Sequence, residues 1–193
     1  MLYLASKSPR RRELLTQLGV TFAIVDVDVP ELRDADESPR GYVERVARAK
    51  ARAGFDVAAA RDPEAVVLGA DTEVILDGRV FGKPRDAADA AAMLRALAGR
   101  THRALSVVCC VVGAPEDVLA CESLVTFANL DDAAIARYVA TGEPFGKAGG
   151  YAIQGQAAGF IARLEGSYSG VMGLPLCETA CLLEAARARH HGD

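Results

Sequence analysis

Several residue types and patterns that mark common active sites are scarce or absent in this sequence. It has three histidines in 193 residues, and His102 alone lies outside the C-terminal tail. A histidine-rich metal site is therefore excluded, and a Ser-His-Asp triad has a single candidate base. The patterns HExxH and GxSxG do not occur, nor do the phosphate-binding patterns GxxxxGK[ST] and GxGxxG. The classes of enzyme that depend on these motifs are set aside.

Long hydrophobic runs are also absent. No apolar stretch approaches the roughly 20 residues that span a bilayer, and the apolar start at residues 1–5 is too short for the core of a signal peptide. We therefore expect a cytoplasmic protein without a membrane partner. The five cysteines are an odd number without CxxC spacing, which fits neither a disulfide framework nor a zinc site. Cys177 and Cys181 share a helix face at i, i+4 spacing, and we interpret them as small buried apolar residues rather than as a metal-binding pair.

The charge is mildly acidic, with a net value of −4. It gives no global attraction to nucleic acid, and no aromatic stacking pattern is present, so we expect no stable nucleic-acid complex. The 22 basic residues include only four lysines, Lys7, Lys50, Lys83 and Lys147. All four lie in glycine-, proline- or motif-rich segments. Since a lysine provides a compact, flexible point charge, these four are candidate site residues.

Strand and helix patterns alternate along the first part of the chain, and a long hairpin follows. Ser8-Pro9 and Ser38-Pro39 each place an N-cap and a proline at a helix start, and Asp77-Gly78 predicts a hairpin turn. This order predicts an α/β domain with a mixed sheet. The predicted strands are 1–5, 21–27, 65–70, 72–76, 79–81, 104–112 and 118–127, with a loop at 113–117. A further short strand is predicted between the glycine-rich segment 146–155 and the last helix. Further helices are predicted to start near residues 86, 131 and 175, and residues 190–193 are expected to be frayed.

The strand-to-helix junction Ser6-Lys7-Ser8-Pro9-Arg10-Arg11-Arg12 is the first candidate site. A helix N-terminus has roughly half a positive charge and free N–H donors. Three arginines there cost about 0.3–1 kcal/mol each without an anion. A bound polyanion removes that conflict, because N–H groups, serine hydroxyls and guanidinium groups converge on phosphate oxygens. The alternative is a solvated basic surface, with some arginines paired to acids such as Glu13.

Gly69-Ala70-Asp71-Thr72 is the second candidate site. An apolar strand delivers Asp71 at its C-terminal end, where open α/β sheets bind ligands. A carboxylate there holds Mg²⁺ or acts as a general base, and a capping aspartate is the alternative. Lys50 falls on the apolar face of its helix, which we interpret as snorkelling to water, so methionine is expected to fold equally well there. Lys83 lies beside Pro84 near a rigid turn, with a solvated loop lysine as the alternative.

The glycine-rich segment 146–155 is a further candidate. Its glycines let a backbone approach a ligand closely, and Gln154 offers both a donor and an acceptor to the edge of a base. For this segment alone, a flexible surface loop is an equally good interpretation. Together, basic groups, a strand carboxylate and a glycine-rich loop indicate a nucleotide bound through its phosphates, with metal-assisted hydrolysis as the chemistry.

In their order and spacing, these segments resemble the Maf family of nucleoside triphosphate pyrophosphatases over about residues 2–184. The matching stretches are 4–15, 42–51, 68–72, 82–84, 142–155, 166–168 and 173–176. The resemblance implies a two-lobed α/β fold with a long curved mixed sheet, similar to inosine triphosphatase. It implies a single Maf-like domain over residues 1–193, with a central cleft.

The resemblance also implies metal-dependent cleavage of the α–β phosphoanhydride bond. The cofactor would be Mg²⁺ or Mn²⁺ between the triphosphate and Asp71, with Glu31 as a second ligand. Asp71 would accept the proton of the attacking water, and Lys50 and Lys83 would act with Arg10 to neutralise charge on the phosphate oxygens.

The family branch that acts on dTTP and UTP has Arg, Thr and Gln at the positions of Arg11, Thr72 and Gln154. The resemblance therefore implies a pyrimidine nucleoside triphosphate as the partner and a role in cleansing the nucleotide pool. The expected substrate-binding residues are Ser6, Ser8, Arg10, Arg11, Thr72, Lys147 and Gln154.

Three positions depart from the family pattern. Gly146 stands where an aspartate is usual and Ala152 where a glycine is usual. Glu73 replaces an apolar residue and adds a candidate metal-facing carboxylate. Maf proteins are also linked to septum formation, so the alternative function is a nucleotide-binding regulator of cell division with weak or incidental catalysis. A homodimer is left open.

Overall fold

The computed structural model describes residues 1–113 and 116–191. Its α-helices are α1 (Pro9–Gln17), α2 (Pro39–Ala59), α3 (Ala87–Leu97), α4 (Asp132–Ala140), α5 (Tyr168–Met172) and α6 (Leu176–His191). Its strands are β1 (Leu2–Ala5), β2 (Phe22–Ile24), β3 (Val66–Leu76), β4 (Arg79–Phe81), β5 (Thr101–Val112), β6 (Glu116–Phe127) and β7 (Ile161–Glu165). The 3₁₀ turns Ala148–Gly150 and Gln156–Phe160 lie between α4 and β7.

The strands form one mixed sheet in the order β2-β1-β3-β5-β6-β7, and β4 also pairs with β3. β1 runs parallel to both β2 and β3, whereas β4 is antiparallel to β3 and β7 is antiparallel to β6. Helices flank this sheet. The predicted α/β class with a mixed sheet is therefore confirmed.

The chain divides into two compact units. Unit 1 consists of Met1–Asp71, Ser106–Cys121 and Gly173–Asp193, and unit 2 consists of Thr72–Leu105 and Glu122–Met172. Strands β3, β5 and β6 contribute residues to both units. The single domain with a central cleft that the family resemblance implies stays a prediction.

In unit 1, helix α2 packs directly on β1. Its buried face includes Val43, Val46 and Ala47. Gly54 continues this face, and a Cβ added there would lie only 2.7 Å from the Ala5 Cβ. Such an approach is closer than real side chains make, so a glycine at position 54 is what lets the helix lie this low on the strand.

In unit 2, an aromatic cluster forms much of the core. His102, Phe127 and Tyr151 pack edge to face, with ring centroids 5.0–5.4 Å apart. Next to it, Gly149 has a φ of +69° and is buried against Val74, whose side chain an added Cβ would meet at 2.9 Å. The glycine-rich segment is therefore packed into unit 2, and its interpretation as a flexible surface loop is wrong.

The predicted helix starts are confirmed by the N-caps. Ser8 and Ser38 cap α1 and α2, and the aspartates at 86 and 131 cap α3 and α4. The Asp77-Gly78 turn also connects β3 to β4 as predicted. These features depend on a few neighbouring residues, which explains why a sequence pattern identifies them.

The structure differs from the predicted elements in three places. The predicted strands 65–70 and 72–76 form one continuous strand, β3, in which β4 supplies backbone partners for Val74 to Leu76. Strand 21–27 is reduced to Phe22–Ile24, and α5 is an additional helix. In the predicted loop 113–117, residues 114 and 115 lie outside the described residues, as do residues 192 and 193 of the predicted frayed tail. Within the described ranges, no helix is both long enough and apolar enough to cross a bilayer.

Candidate functional site

The N-terminus of α1 forms a basic, hydroxyl-lined corner of unit 1. The Ser8 hydroxyl accepts the Arg11 N–H at 3.4 Å, and the Ser6 hydroxyl accepts the Ser8 N–H at 3.2 Å. In α1, which is described in full, no acidic residue occupies the first turn. Burial and the neighbouring Arg11 charge lower the pKa of Arg10. The positive charges of Arg10 and Arg11 thus lie at the positive end of α1, and this arrangement favours a bound anion.

Arg11 is anchored by contacts within unit 1. Its Nε donates to the Gly173 carbonyl oxygen at 2.7 Å, and its Nη1 lies 3.5 Å from the Ser6 hydroxyl oxygen. Because a guanidinium group is planar and rigid, fixing Nε also fixes the directions in which its other N–H groups point.

Lys50, Asp71 and Glu31 form an ion cluster in unit 1. Lys50 Nζ lies 2.8 Å from Asp71 Oδ1 and 2.6 Å from Glu31 Oε1. The Lys50 and Asp71 side chains are only 10% and 9% exposed, whereas Glu31 is 35% exposed. The second Asp71 oxygen, Oδ2, is buried and has no hydrogen-bond partner among the described residues. An oxygen of this kind is suited to a cation or to a proton from bound water.

Two predictions about this cluster are wrong. Lys50 does not snorkel to water, because two carboxylates hold its ammonium group inside unit 1. Asp71 does not end a strand, since β3 continues past it. The pairing of β3 with the parallel strand β1, however, stops where Ala5 pairs with Gly69. Asp71 therefore follows the end of the parallel pairing, which is the position where such sheets bind ligands.

Close packing of α2 on β3 explains how Lys50 reaches Asp71. A Cβ added to Gly69 would lie 2.4 Å from the Ala51 nitrogen and 2.5 Å from the Ala47 carbonyl oxygen. Both are backbone atoms of α2 on either side of Lys50, and they have no freedom to rotate away. A side chain at position 69 would lift the helix and separate the two charged groups.

The other predicted site residues, Thr72, Lys83, Lys147 and Gln154, belong to unit 2. Lys83 and Gln154 are exposed, and Thr72 is half-buried. The Gly149 N–H donates to the Gly82 carbonyl oxygen at 3.1 Å. This bond brings the turn that contains Lys83 next to the glycine-rich segment, within unit 2.

Lys147 has contacts within its own loop. Its Nζ donates to the backbone carbonyl oxygens of Glu143 and Phe145. Lys147 therefore stabilises the loop that leads into the glycine-rich segment, and its expected contact with substrate stays a prediction.

Sequence reasoning assigns no role to Glu143 and Tyr138, although the structure joins them. The Tyr138 hydroxyl donates to Glu143 Oε1 at 2.8 Å, and Glu143 also accepts backbone N–H groups from residues 156 and 157. Glu143 does lie in the matching stretch 142–155, which is the one sequence feature that draws attention to it. The motif does not show which groups bind the Glu143 carboxylate, because many polar groups lie near it in the sequence and any of them could be a partner.

His102 is not available as a base. It is 1% exposed, its Nε2 lies 2.8 Å from the Tyr151 hydroxyl, and burial lowers the pKa of His102 to about 4. The ring is neutral at physiological pH and belongs to the aromatic core of unit 2.

The cysteines divide into a buried and an exposed group. Cys109, Cys110 and Cys121 are buried, and burial raises the pKa of Cys109 to about 12 and that of Cys110 to about 11. Cys177 and Cys181 are exposed on α6. The buried interpretation is wrong for this pair, because small residues at i, i+4 spacing do not reveal which face of a helix is covered.

A protein-family model described as Maf-like protein matches residues 1–186 of the chain. The chain belongs to the Maf family. The match covers both units, and it confirms the resemblance inferred from the order and spacing of the motifs.

Curated relatives of this Maf chain match it over nearly its whole length. A Xanthomonas oryzae pv. oryzae protein named dTTP/UTP pyrophosphatase is 63% identical over 96% of this chain and 98% of its own. A Xylella fastidiosa protein named nucleoside triphosphate pyrophosphatase is 57% identical over 95% of this chain and 97% of its own. Among solved structures, the Staphylococcus aureus Ham1 protein matches with a TM-score of 0.45 and 14% identity, over 66% of this chain and 72% of that chain.

Asp71 and Glu31 fit the requirements of a divalent cation in this Maf chain. Both are carboxylates, the ligands that Mg²⁺ and Mn²⁺ prefer, and Asp71 Oδ2 is a buried acceptor without a described partner. Within the described residues, no group of three or more His, Cys, Asp or Glu is arranged to hold a metal. Mg²⁺ is commonly bound by one or two carboxylates together with substrate phosphates. The expected contribution of Glu73 stays a prediction.

Proposed function

We propose that this chain hydrolyses dTTP and UTP to the nucleoside monophosphate and pyrophosphate. The observation that supports this most strongly is the buried Asp71 carboxylate, with Oδ1 bound to Lys50 and Oδ2 without a hydrogen-bond partner among the described residues. The names of relatives 57% and 63% identical to the chain support the choice of reaction, and that of the 63% relative supports the choice of substrates.

Asp71 is the proposed general base. A water oxygen attacks the α-phosphorus, the bond from that phosphorus to the bridging oxygen breaks, and pyrophosphate leaves. Asp71 Oδ2 accepts the proton that the water loses. Lys50 supports this role, because its bond to Oδ1 fixes the carboxylate and leaves the other oxygen to face the water.

The charge on the triphosphate requires several cations. Arg10, Lys50 and Lys83 are proposed to neutralise the charge that develops as the bond breaks, and losing one such group typically costs on the order of 10²-fold in rate. The hydroxyls and N–H groups at the start of α1, with Lys147, are proposed to bind phosphate oxygens. A divalent cation, Mg²⁺ or Mn²⁺, held by Asp71 and Glu31 would withdraw charge from the phosphates.

Arg11, Thr72 and Gln154 are the proposed base-recognition residues. Gln154 offers a donor and an acceptor, and the Gly173 carbonyl orients the Arg11 guanidinium. Removing unwanted pyrimidine triphosphates from the cytoplasmic nucleotide pool is the role that we propose for this activity. A link to cell division rests on the family resemblance alone.

A substrate panel tests the proposed specificity. Pyrophosphate release is measured for UTP, dTTP, CTP, ATP, GTP and 7-methyl-GTP, with Mg²⁺ and with Mn²⁺. We expect the highest kcat/KM for UTP and dTTP, with discrimination of up to roughly 10⁴-fold against purines. A purine preference contradicts the specificity. Tight nucleotide binding without pyrophosphate release from any of the six supports the regulator of cell division instead.

Isotope labelling tests the position of attack. When the reaction runs in water enriched in oxygen-18, attack at the α-phosphorus places the label in the nucleoside monophosphate. Mass spectrometry of both products then shows whether water attacks the α-phosphorus or the β-phosphorus. Label in the pyrophosphate contradicts the proposed chemistry.

A further inference from the structure

The Glu143 carboxylate accepts three hydrogen bonds in unit 2. Its Oε1 accepts from the Tyr138 hydroxyl at 2.8 Å and from the Ala157 N–H at 3.3 Å, and its Oε2 accepts from the Gln156 N–H at 3.0 Å. The buried Tyr138 oxygen in turn accepts the Ala152 N–H at 3.2 Å. One Glu143–Tyr138 pair therefore binds backbone on both sides of a short segment.

Gln154 lies in the middle of that segment. The Gly155 N–H closes the turn by donating to the Ala152 carbonyl oxygen at 3.0 Å. A Cβ at position 155 would lie 2.4 Å from both Glu143 carboxylate oxygens, so a glycine is needed for the carboxylate to approach the backbone this closely. The backbone around the exposed Gln154 side chain is thus fixed by a network that Gln154 itself does not form.

The charge state of the pair suits this arrangement. Burial acts to raise the pKa of Glu143, but the hydrogen bonds from the Gln156 N–H, the Tyr138 hydroxyl and the Ala157 N–H outweigh it and lower the pKa. Burial and the hydrogen bond to Glu143 raise the pKa of Tyr138. The carboxylate therefore stays an acceptor and the hydroxyl stays a donor at neutral pH.

We propose that Glu143 and Tyr138 are positioning residues that set base specificity by holding the backbone on both sides of Gln154. The inference rests on the proposed function, in which Gln154 contacts the pyrimidine. A polar side chain discriminates between bases only when its donor and acceptor are held in one orientation, because a mobile amide adapts to either edge. The pair holds that orientation without touching the substrate.

Two variants remove parts of the pair. Glu143→Gln keeps the size of the side chain but replaces one acceptor oxygen by an NH₂ group, which faces an N–H donor or the Tyr138 hydroxyl. Tyr138→Phe keeps the ring and removes the bonds to Glu143 and Ala152. Glu122→Gln is the matched control, because Glu122 is about half exposed and forms a 3.5 Å surface ion pair with Arg103.

Two readouts are expected to change together. The ratio of kcat/KM for UTP to that for ATP falls by about 10-fold in both variants, since a small misplacement of a recognition group is costly. Amide hydrogen exchange at residue 152 in Tyr138→Phe, and at residues 156 and 157 in Glu143→Gln, becomes faster in the nucleotide-free protein. Glu122→Gln leaves the ratio and the exchange rates unchanged.

A double-variant comparison separates positioning from a general structural effect. If Glu143 acts through Gln154, then Glu143→Gln causes no further change in the UTP/ATP ratio in a Gln154→Ala background. Rates that fall equally for every nucleotide, or a further loss in that background, overturn the proposal.

The two proposals fail in different ways. A wild-type protein without pyrimidine preference overturns the proposed specificity, whereas faster exchange in the variants still supports the positioning of the backbone. Unchanged exchange in both Glu143→Gln and Tyr138→Phe overturns the positioning proposal, even if the wild-type protein prefers UTP.

Discussion

For the replacement of Lys50 by methionine, the structure and the sequence pattern predict different effects on stability. The apolar face of α2 predicts that methionine is tolerated, because the position resembles a core site. The structure predicts the opposite. Lys50→Met removes the ammonium group between two carboxylates and leaves the Asp71 charge buried at 9% exposure without its cation.

The expected loss of stability is large. Removing one partner of a buried ion pair typically costs about 3–5 kcal/mol, since the remaining charge is neither hydrated nor paired. In a chain of this length each kcal/mol corresponds to roughly 2–4 °C in Tm. The expected decrease in Tm is therefore about 6–20 °C. Glu31 contributes less to this loss because its side chain is 35% exposed and can be hydrated.

Thermal and urea unfolding of four proteins measure this effect. The Lys50→Met/Asp71→Asn double variant removes both charges and is expected to recover most of the lost stability, because no buried charge is left unpaired. Lys7→Met is the control, since Lys7 is 61% exposed and its ion pair with Asp26 lies at the surface. A Lys50→Met protein as stable as Lys7→Met, or a double variant less stable than Lys50→Met, refutes the reasoning.

Two further predictions concern buried titratable groups. His102 has a folded-state pKa of about 4 against an ordinary 6.5, so the unfolded chain binds more protons between these values. The stabilising effect of the neutral ring is complete above pH 6.5 and is lost as the pH falls to 4, by about 3 kcal/mol. Urea melts against pH are expected to show a smaller decrease in His102→Gln, and an identical pH dependence contradicts this. For the cysteines, Cys177 and Cys181 are expected to react with a thiol reagent in the native protein and the three buried thiols only after unfolding; mass mapping of the labelled sites checks the assignment.

Features that depend on neighbouring residues could be predicted from the sequence. The Asp77-Gly78 turn has φ values of +52° and +75°, which is the conformation that this dipeptide favours in a two-residue hairpin. The caps of the first four helices are equally local. The Maf motifs contain the candidate site residues other than Glu31, and their order and spacing are specific even though each motif alone is weak.

Features that depend on distant residues could not be predicted in this way. The apolar helix face around Lys50 indicated snorkelling, because nothing in the pattern of α2 shows that Asp71 Oδ1 lies 2.8 Å from Lys50 Nζ. The two groups meet because Gly69 lets α2 pack closely on β3. The sequence pattern predicted separate strands at 65–70 and 72–76, and it did not show that Asp71 lies inside one continuous strand, β3. The contacts of Glu143 with residues 156 and 157 depend on how the intervening segment folds back, and this is a property of packing.

The Asp71→Asn variant tests the central claim most directly. Asparagine keeps the size of the side chain and an acceptor for Lys50, but it does not take a proton from water at neutral pH. Pyrophosphate release is measured at saturating UTP, with UTP binding measured separately and the exposed Asp28→Asn as the control. The account predicts that kcat falls by roughly 10²-fold or more, because Asp71 is both the proposed base and a proposed ligand of the cation. UTP binding without the cation, and the kcat of the control, are expected to be unchanged. A kcat near that of the wild-type protein contradicts the assignment of Asp71 as the base.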